Sequence, residues 1–182
     1  IRNKVSRSKG HTTYSEIPCS FLMDILTKKG QRSLVYEREM LDKIRYTMCD
    51  KHKSNSQIIE TDKNMDAKVD GMIVKNGELA GIFESKCRNL SLMELRNFDS
   101  WLVTLDKIME GKRLSEMLRV PYFGFLYLIK DKIVMYWKIT DKYGNFIFDF
   151  DVKNTRTQKT INGGSIVRTN AYLPFKKGVE LT

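Results

Sequence analysis

Three side chains carry the combination best suited to chemistry: Asp70 in the strand-like run 67–75, and Glu84 with Lys86 in the next run, 79–86. Hydrolysing a phosphodiester requires a nucleophilic water, charge stabilisation on the phosphoryl oxygens and help for the leaving oxygen. Magnesium held by carboxylates, with positions left open for water and phosphate, meets all three needs. Two carboxylates and a nearby lysine are a sensible minimum. Residues two apart on a strand share a face, so Glu84 and Lys86 are neighbours on one surface. Asn76-Gly77 parts the two runs and favours a hairpin, because both residues accept positive φ. A strict two-residue loop would pair Lys75 with Glu78 and Asp70 with Phe83, leaving Asp70 and Glu84 on opposite faces. A shared site therefore requires an irregularity: a three-residue loop with Gly77 left-handed, or a bulge at Gly71 or Gly81.

Other elements must hold this hairpin. Between 31 and about 49, Leu34, Leu41, Ile44 and Met48 recur as one face of a helix. Glu37 falls inside that stripe, whereas Glu39 points nearly the opposite way. A carboxylate facing a core calls for a cation or a metal, since burying an unpaired charge is costly. Residues 54–61 hold a short strand. Ser91 and Glu94 have the form of a capping box, and Leu95, Phe98, Leu102, Leu105 and Met109 continue a helical stripe over 91–110. A short amphipathic piece at 114–118, strands at 122–129 and 133–139, and an alternation of Phe146, Phe148 and Phe150 follow. A turn at Asn162-Gly163-Gly164 leads to a last strand at 165–173. The order predicts an α/β fold, a mixed central β-sheet flanked by helices with extra C-terminal strands. It is read as one domain: a basic arm and short helix over 1–30, a core over 31–129 and additional strands over 130–182.

Val69-Asp70-Gly71 followed by Glu84-Ser85-Lys86 resembles the D-x(n)-E-x-K signature of the PD-(D/E)XK nuclease superfamily, with Val69 in place of its proline. The helix, three strands, helix and strand over 31–129 look like that superfamily's restriction-endonuclease-like αβββαβ core. Gly30 and Tyr36-Glu37-Arg38-Glu39 look like the opening helix of the archaeal Holliday-junction resolvases, in which the first glutamate of the E-R-E run is an active-site residue. The resemblance implies that Asp70 and Glu84 bind Mg²⁺ or Mn²⁺, with the Ser85 carbonyl as a further ligand and Glu37 completing the shell directly or through water. Lys86 would orient or help deprotonate the attacking water and stabilise charge on the phosphate. Asp66, Glu60 and Asp62 stand near enough in sequence to take the role given to Asp70.

The composition fits a polyanionic partner. Thirty-two Lys and Arg against 22 Asp and Glu give a formal charge of +10 on 182 residues. Lys153, Arg156, Lys159 and Arg168, interleaved with Asn154, Thr155 and Thr157, suit a phosphate backbone, and Arg38 and Arg88 are counted with them. Cys19, Cys49 and Cys87 are odd in number and widely spaced, which fits an intracellular, reducing setting rather than a disulfide framework. Phage or mobile-element origin and a homodimer stay open. No run approaches the roughly 18 to 20 apolar residues of a membrane span. His11 and His52 have no metal-ligand spacing, and Trp101 and Trp137 read as packing residues. The expectation is a Mg²⁺- or Mn²⁺-dependent endodeoxyribonuclease. RNA or single-strand cutting, and a nuclease fold that binds nucleic acid without cutting it, are the alternatives.

Overall fold

The computed structural model describes residues 28–51, 55–62, 67–159 and 165–182. Residues 1–27 of the basic arm and short helix expected over 1–30, both histidines, Asp66 and the Asn162-Gly163-Gly164 turn lie outside them. Two units are separated after Arg32, and the sheets and cores lie within Ser33–Thr182.

Helix α1 (Lys28–Arg45) closes with Lys43 and Arg45 against its negative dipole end and continues as one π turn, Tyr46–Lys51. Met40, Leu41 and Ile44 are buried, so the expected stripe does face inward. The strands β1 (Ser56–Glu60), β2 (Gly71–Lys75) and β3 (Glu78–Arg88) follow as an antiparallel meander. Strand β3 pairs in parallel with β5 (Tyr122–Leu128), and a parallel neighbour needs a crossover. That crossover is built from α2 (Leu92–Phe98), β4 (Ser100–Thr104) and α3 (Leu105–Leu118). Strands β6 (Ile133–Lys138) and β9 (Val179–Glu180) complete a six-stranded mixed sheet in the order β1-β2-β3-β5-β6-β9. A second, antiparallel sheet has the order β4-β8-β7, with β7 spanning Asp151–Lys159 and β8 spanning Ser165–Pro174.

The alternation along β3 divides the interior in two. Ile82 joins a core with Leu95, Trp101, Val103, Ile108, Tyr122, Leu126, Trp137, Ala171 and Leu173, between the main sheet and the crossover with its second sheet. Phe83 joins a smaller core with Met40, Leu41, Ile44, Ile58, Ile73 and Phe125 beneath α1.

Three expectations need correction. The helix expected over 91–110 is interrupted: the Ser91–Glu94 capping box is present, but Asp99 turns left-handed (φ 52°) and Ser100–Thr104 runs as a strand. Trp101 and Val103 are buried there with the period of a strand, which suits the bulky side chains of that segment. The phenylalanine alternation at 146–150 records burial without pairing. Phe146, Phe148 and Phe150 pack on the main core, yet only a single bridge, Thr140 to Phe146, forms. Finally, the short amphipathic piece expected at 114–118 is the last part of α3, Leu105–Leu118.

Gly71 has little room between its neighbours. A Cβ there would lie 2.6 Å from the Ile59 carbonyl oxygen and 2.4 Å from the Phe83 ring. The backbone oxygen cannot rotate away, so Gly71→Ala should cost about 1–3 kcal/mol in urea unfolding and displace the adjoining Asp70. An unchanged midpoint would contradict this packing.

Candidate functional site

The hairpin register decides whether the carboxylates meet. Asn76 (φ 54°) and Gly77 (φ 83°) form a two-residue turn, and Lys75 pairs with Glu78. Val74 then pairs with Leu79 but Ile73 with Gly81, so Ala80 is an extra residue and β3 bulges beside Gly81. The shift brings Gly71 opposite Phe83, and Asp70, just before β2, comes near enough to Glu84 for the two carboxylates to interact. The Asp70 amide donates to the Phe83 carbonyl at 2.9 Å, fixing that end. The irregularity that the sequence required is this bulge.

Glu84 is 0% exposed in the middle of the main sheet. Its Oε1 accepts from Lys86 Nζ at 2.5 Å, and Lys86 Nζ stands 3.9 Å from Asp70 Oδ2. Lys107, from the first turn of α3, lies 3.6 Å from Glu84 Oε2 and donates to the Ala67 carbonyl at 3.0 Å. Glu84 Oε2 accepts no hydrogen bond among the described residues. Burial pushes the Glu84 carboxyl above its ordinary range, and Asp70 adds to this, while Lys86 and Lys107 pull it back only in part. Burial lowers Lys86, but the Glu84 and Asp70 carboxylates outweigh that and hold its ammonium protonated to higher pH. The Tyr122 hydroxyl, buried beside them, donates to the Lys107 carbonyl at 3.3 Å.

Ser85 and Glu37 approach from the α1 side. The Ser85 amide donates to Asp70 Oδ2 at 2.8 Å. Its hydroxyl has one proton to share between Asp70 Oδ2 at 3.1 Å and Glu37 Oε1 at 3.4 Å. Ser85 thus orients Asp70 through its donors, and Glu37 reaches Asp70 through the Ser85 hydroxyl. Glu39, expected to point away, pairs with Lys132 at 3.8 Å. Burial, with Glu37 near, pushes the Cys87 thiol up to about 12, which leaves it un-ionised and unsuited to nucleophilic attack.

Among the described residues no three His, Cys, Asp or Glu side chains stand together as a ready metal-holding group. The donor chemistry nevertheless fits a hard divalent cation. The available atoms are carboxylate and carbonyl oxygens, and among the described residues Glu84 Oε2 is a buried acceptor without a hydrogen bond. Of the alternative acids, Glu60 is engaged by Arg45 at 2.7 Å, whereas Asp70 meets Ser85 and Lys86. A groove of about 490 Å³ lined by Glu39, Asp42, Lys132 and Glu180 lies between α1 and the β6–β9 edge and contains none of the clustered residues.

The expected nucleic-acid contacts separate in space. Arg38 and Arg88 are exposed on α1 and at the end of β3. Lys153, Arg156, Lys159 and Arg168 lie on the β7–β8 hairpin, where Thr155 pairs with Arg168 and Arg156 with Val167. Adjacent positions on a strand face opposite ways, so Arg156 and Arg168 occupy opposite faces. Lys153 is tied to Asp151 at 2.8 Å.

Lys107 was not anticipated, because the assumed stripe through Leu105 and Met109 turns it outward. The inner face of α3 is instead Ile108, Gly111 and Ser115, and Met109 is exposed. Lys107, four residues before Gly111, falls on that face, so a correct break at Asp99 was the missing signal.

No helix among the described residues is long and apolar enough to cross a membrane. Comparison with protein-family models, with curated protein sequences and with solved structures returns no match.

Proposed function

We propose that the chain is a divalent-metal-dependent nuclease that hydrolyses phosphodiester bonds within DNA. The observation that carries this reading is Glu84. A fully buried carboxylate, flanked by two lysines and set near a second carboxylate by a backbone bulge, burdens a fold that could fill the position with an apolar residue. Asp70 and Glu84, with the Ser85 carbonyl, would hold Mg²⁺ or Mn²⁺. Such an ion supplies Lewis-acid charge to the phosphoryl oxygens and makes a water more acidic. Ser85 holds Asp70 in orientation through its amide and hydroxyl, and Glu37 reaches the same carboxylate through Ser85. Lys86, protonated and about one-third exposed, is placed to donate to a water or a phosphoryl oxygen rather than to accept a proton. Lys107 supports Glu84 from behind.

The test is incubation with Mg²⁺ or Mn²⁺ and end-labelled duplex, branched and single-stranded DNA, with RNA alongside. Internal cuts in DNA are expected, and Asp70→Asn should remove them while leaving DNA affinity largely intact. Salt-sensitive binding with no cleavage of any substrate would reject the enzyme in favour of a binding module.

A further inference from the structure

The second sheet changes character along its length. Strand β4 pairs with β8 only from Thr104–Asn170 to Ser100–Pro174, whereas β7 pairs with β8 from Asp151–Tyr172 to Lys159–Ser165, broken only by a bulge at Thr157, between Arg156 and Gln158. From Thr169 back to Ser165 the hairpin therefore runs as a two-stranded ribbon, with no third strand among the described residues. From Asn154 to Lys159 it covers about 17 Å at the usual rise per residue. Its root is braced by Asn170, which is fully buried and donates to the Thr155 hydroxyl at 2.6 Å and the Arg168 carbonyl at 3.0 Å. Thr169 donates to Asn154 across the strands at 2.8 Å.

Charge along the ribbon has one sign. From 154 to 169 the sequence contains Arg156, Lys159 and Arg168 and no Asp or Glu. Arg156 and Arg168 are exposed, and among the described residues neither takes part in an ion pair. They sit one register pair apart on opposite faces. One arginine on each side suits a slot with phosphates on both walls better than a flat surface. A two-stranded ribbon is also among the shapes that the B-DNA major groove admits, whereas the major groove of A-form RNA is too deep and narrow.

Position links the ribbon to the candidate site. It leaves the sheet at Asn170, opposite Thr104, and Lys107, three residues after Thr104, is the lysine that contacts Glu84. We infer that the β7–β8 ribbon enters the major groove of duplex DNA, with Arg156 and Arg168 each contacting one bordering phosphate strand. The inference relies on the nuclease reading only in taking DNA as the substrate; the ribbon's own geometry and charge are independent of the carboxylates.

The test measures binding of a short DNA duplex by fluorescence anisotropy without divalent metal, using the full chain and its Arg156→Ala/Arg168→Ala double variant, with circular dichroism to verify folding. Both arginines are exposed, so the variant should fold. Affinity is expected to fall on the order of tenfold and the slope of log K against log salt to lose about 2. Arg156→Lys/Arg168→Lys should restore most of the slope. A duplex with glucosylated cytosines filling the major groove should bind the wild type weakly, and a minor-groove ligand should not compete. Unchanged affinity and slope in the double variant, or competition by the minor-groove ligand, would overturn the ribbon's role. Binding that behaves as expected without any cleavage would count against the nuclease reading and leave the ribbon standing.

Discussion

Glu84→Gln should lower metal-dependent cleavage on the order of 1,000-fold or more and yet leave the protein at least as stable at neutral pH. The two halves follow from the same burial. The carboxyl is pushed above its ordinary value of 4.5, so its neutral form is favoured in the folded chain. A raised carboxyl contributes stability that is complete below 4.5 and is lost as pH rises through the raised value. Ionising Glu84 in the folded chain therefore works against its surroundings, and glutamine removes that cost while keeping the size and an acceptor for Lys86. Lys86 can compensate, being about one-third exposed and 3.9 Å from Asp70. A structural ion pair would behave in the opposite way, since deleting one partner of a buried pair costs about 3–5 kcal/mol. Urea unfolding at several pH values separates the two. The glutamine variant should lose the decline in stability above 4.5, and a large fall in its neutral-pH midpoint would make Glu84 a structural residue. Cleavage within tenfold of wild type would remove it from the reaction.

Much of the geometry of this candidate site is legible in the sequence, because strand and turn chemistry are local. Two-residue spacing put Glu84 and Lys86 together, Asn76-Gly77 marked the turn, and counting residues across it showed that a bulge was needed. The position of the bulge was less legible. Nothing in the alternation separates Gly71 from Gly81, and the extra residue is Ala80. Glu37 stands out in the sequence because it interrupts an apolar stripe. Its approach from the α1 side through Ser85 depends on two elements packing on opposite faces of β3, which no single-segment pattern contains. The second sheet was hidden for a related reason. Ser100–Thr104 carries enough apolar residues to continue a helical stripe, and Asp151–Lys159 is too polar to announce a strand. Each is stabilised by pairing with β8, and pairing is a property of the partner as much as of the segment. Lys107 was lost with that misreading, since its place on the inner face of α3 follows from where the helix begins.

Lys107→Met tests this missed residue and should act through pH. The substitution keeps much of the apolar stem and removes the positive charge 3.6 Å from Glu84 Oε2. Lys107 is one of the two cations that hold the Glu84 carboxyl down against burial, so its loss raises that carboxyl further. If the ionised carboxylate is the active form, the acid limb of the pH–rate profile moves to higher pH. The rate at neutral pH should fall about 10- to 100-fold, the range for partners that orient a metal ligand, and should partly recover in alkaline buffer. Lys107 also donates to the Ala67 carbonyl, three residues before Asp70, so some rate is lost by loosening that approach. Lys107→Arg distinguishes the contributions, because it keeps the charge and alters the reach. With arginine the acid limb should stay near the wild-type position even if the plateau is lower. A methionine variant with a reduced plateau and an unmoved acid limb would limit Lys107 to holding the Asp70 segment, and a profile unchanged in both respects would exclude it from the site.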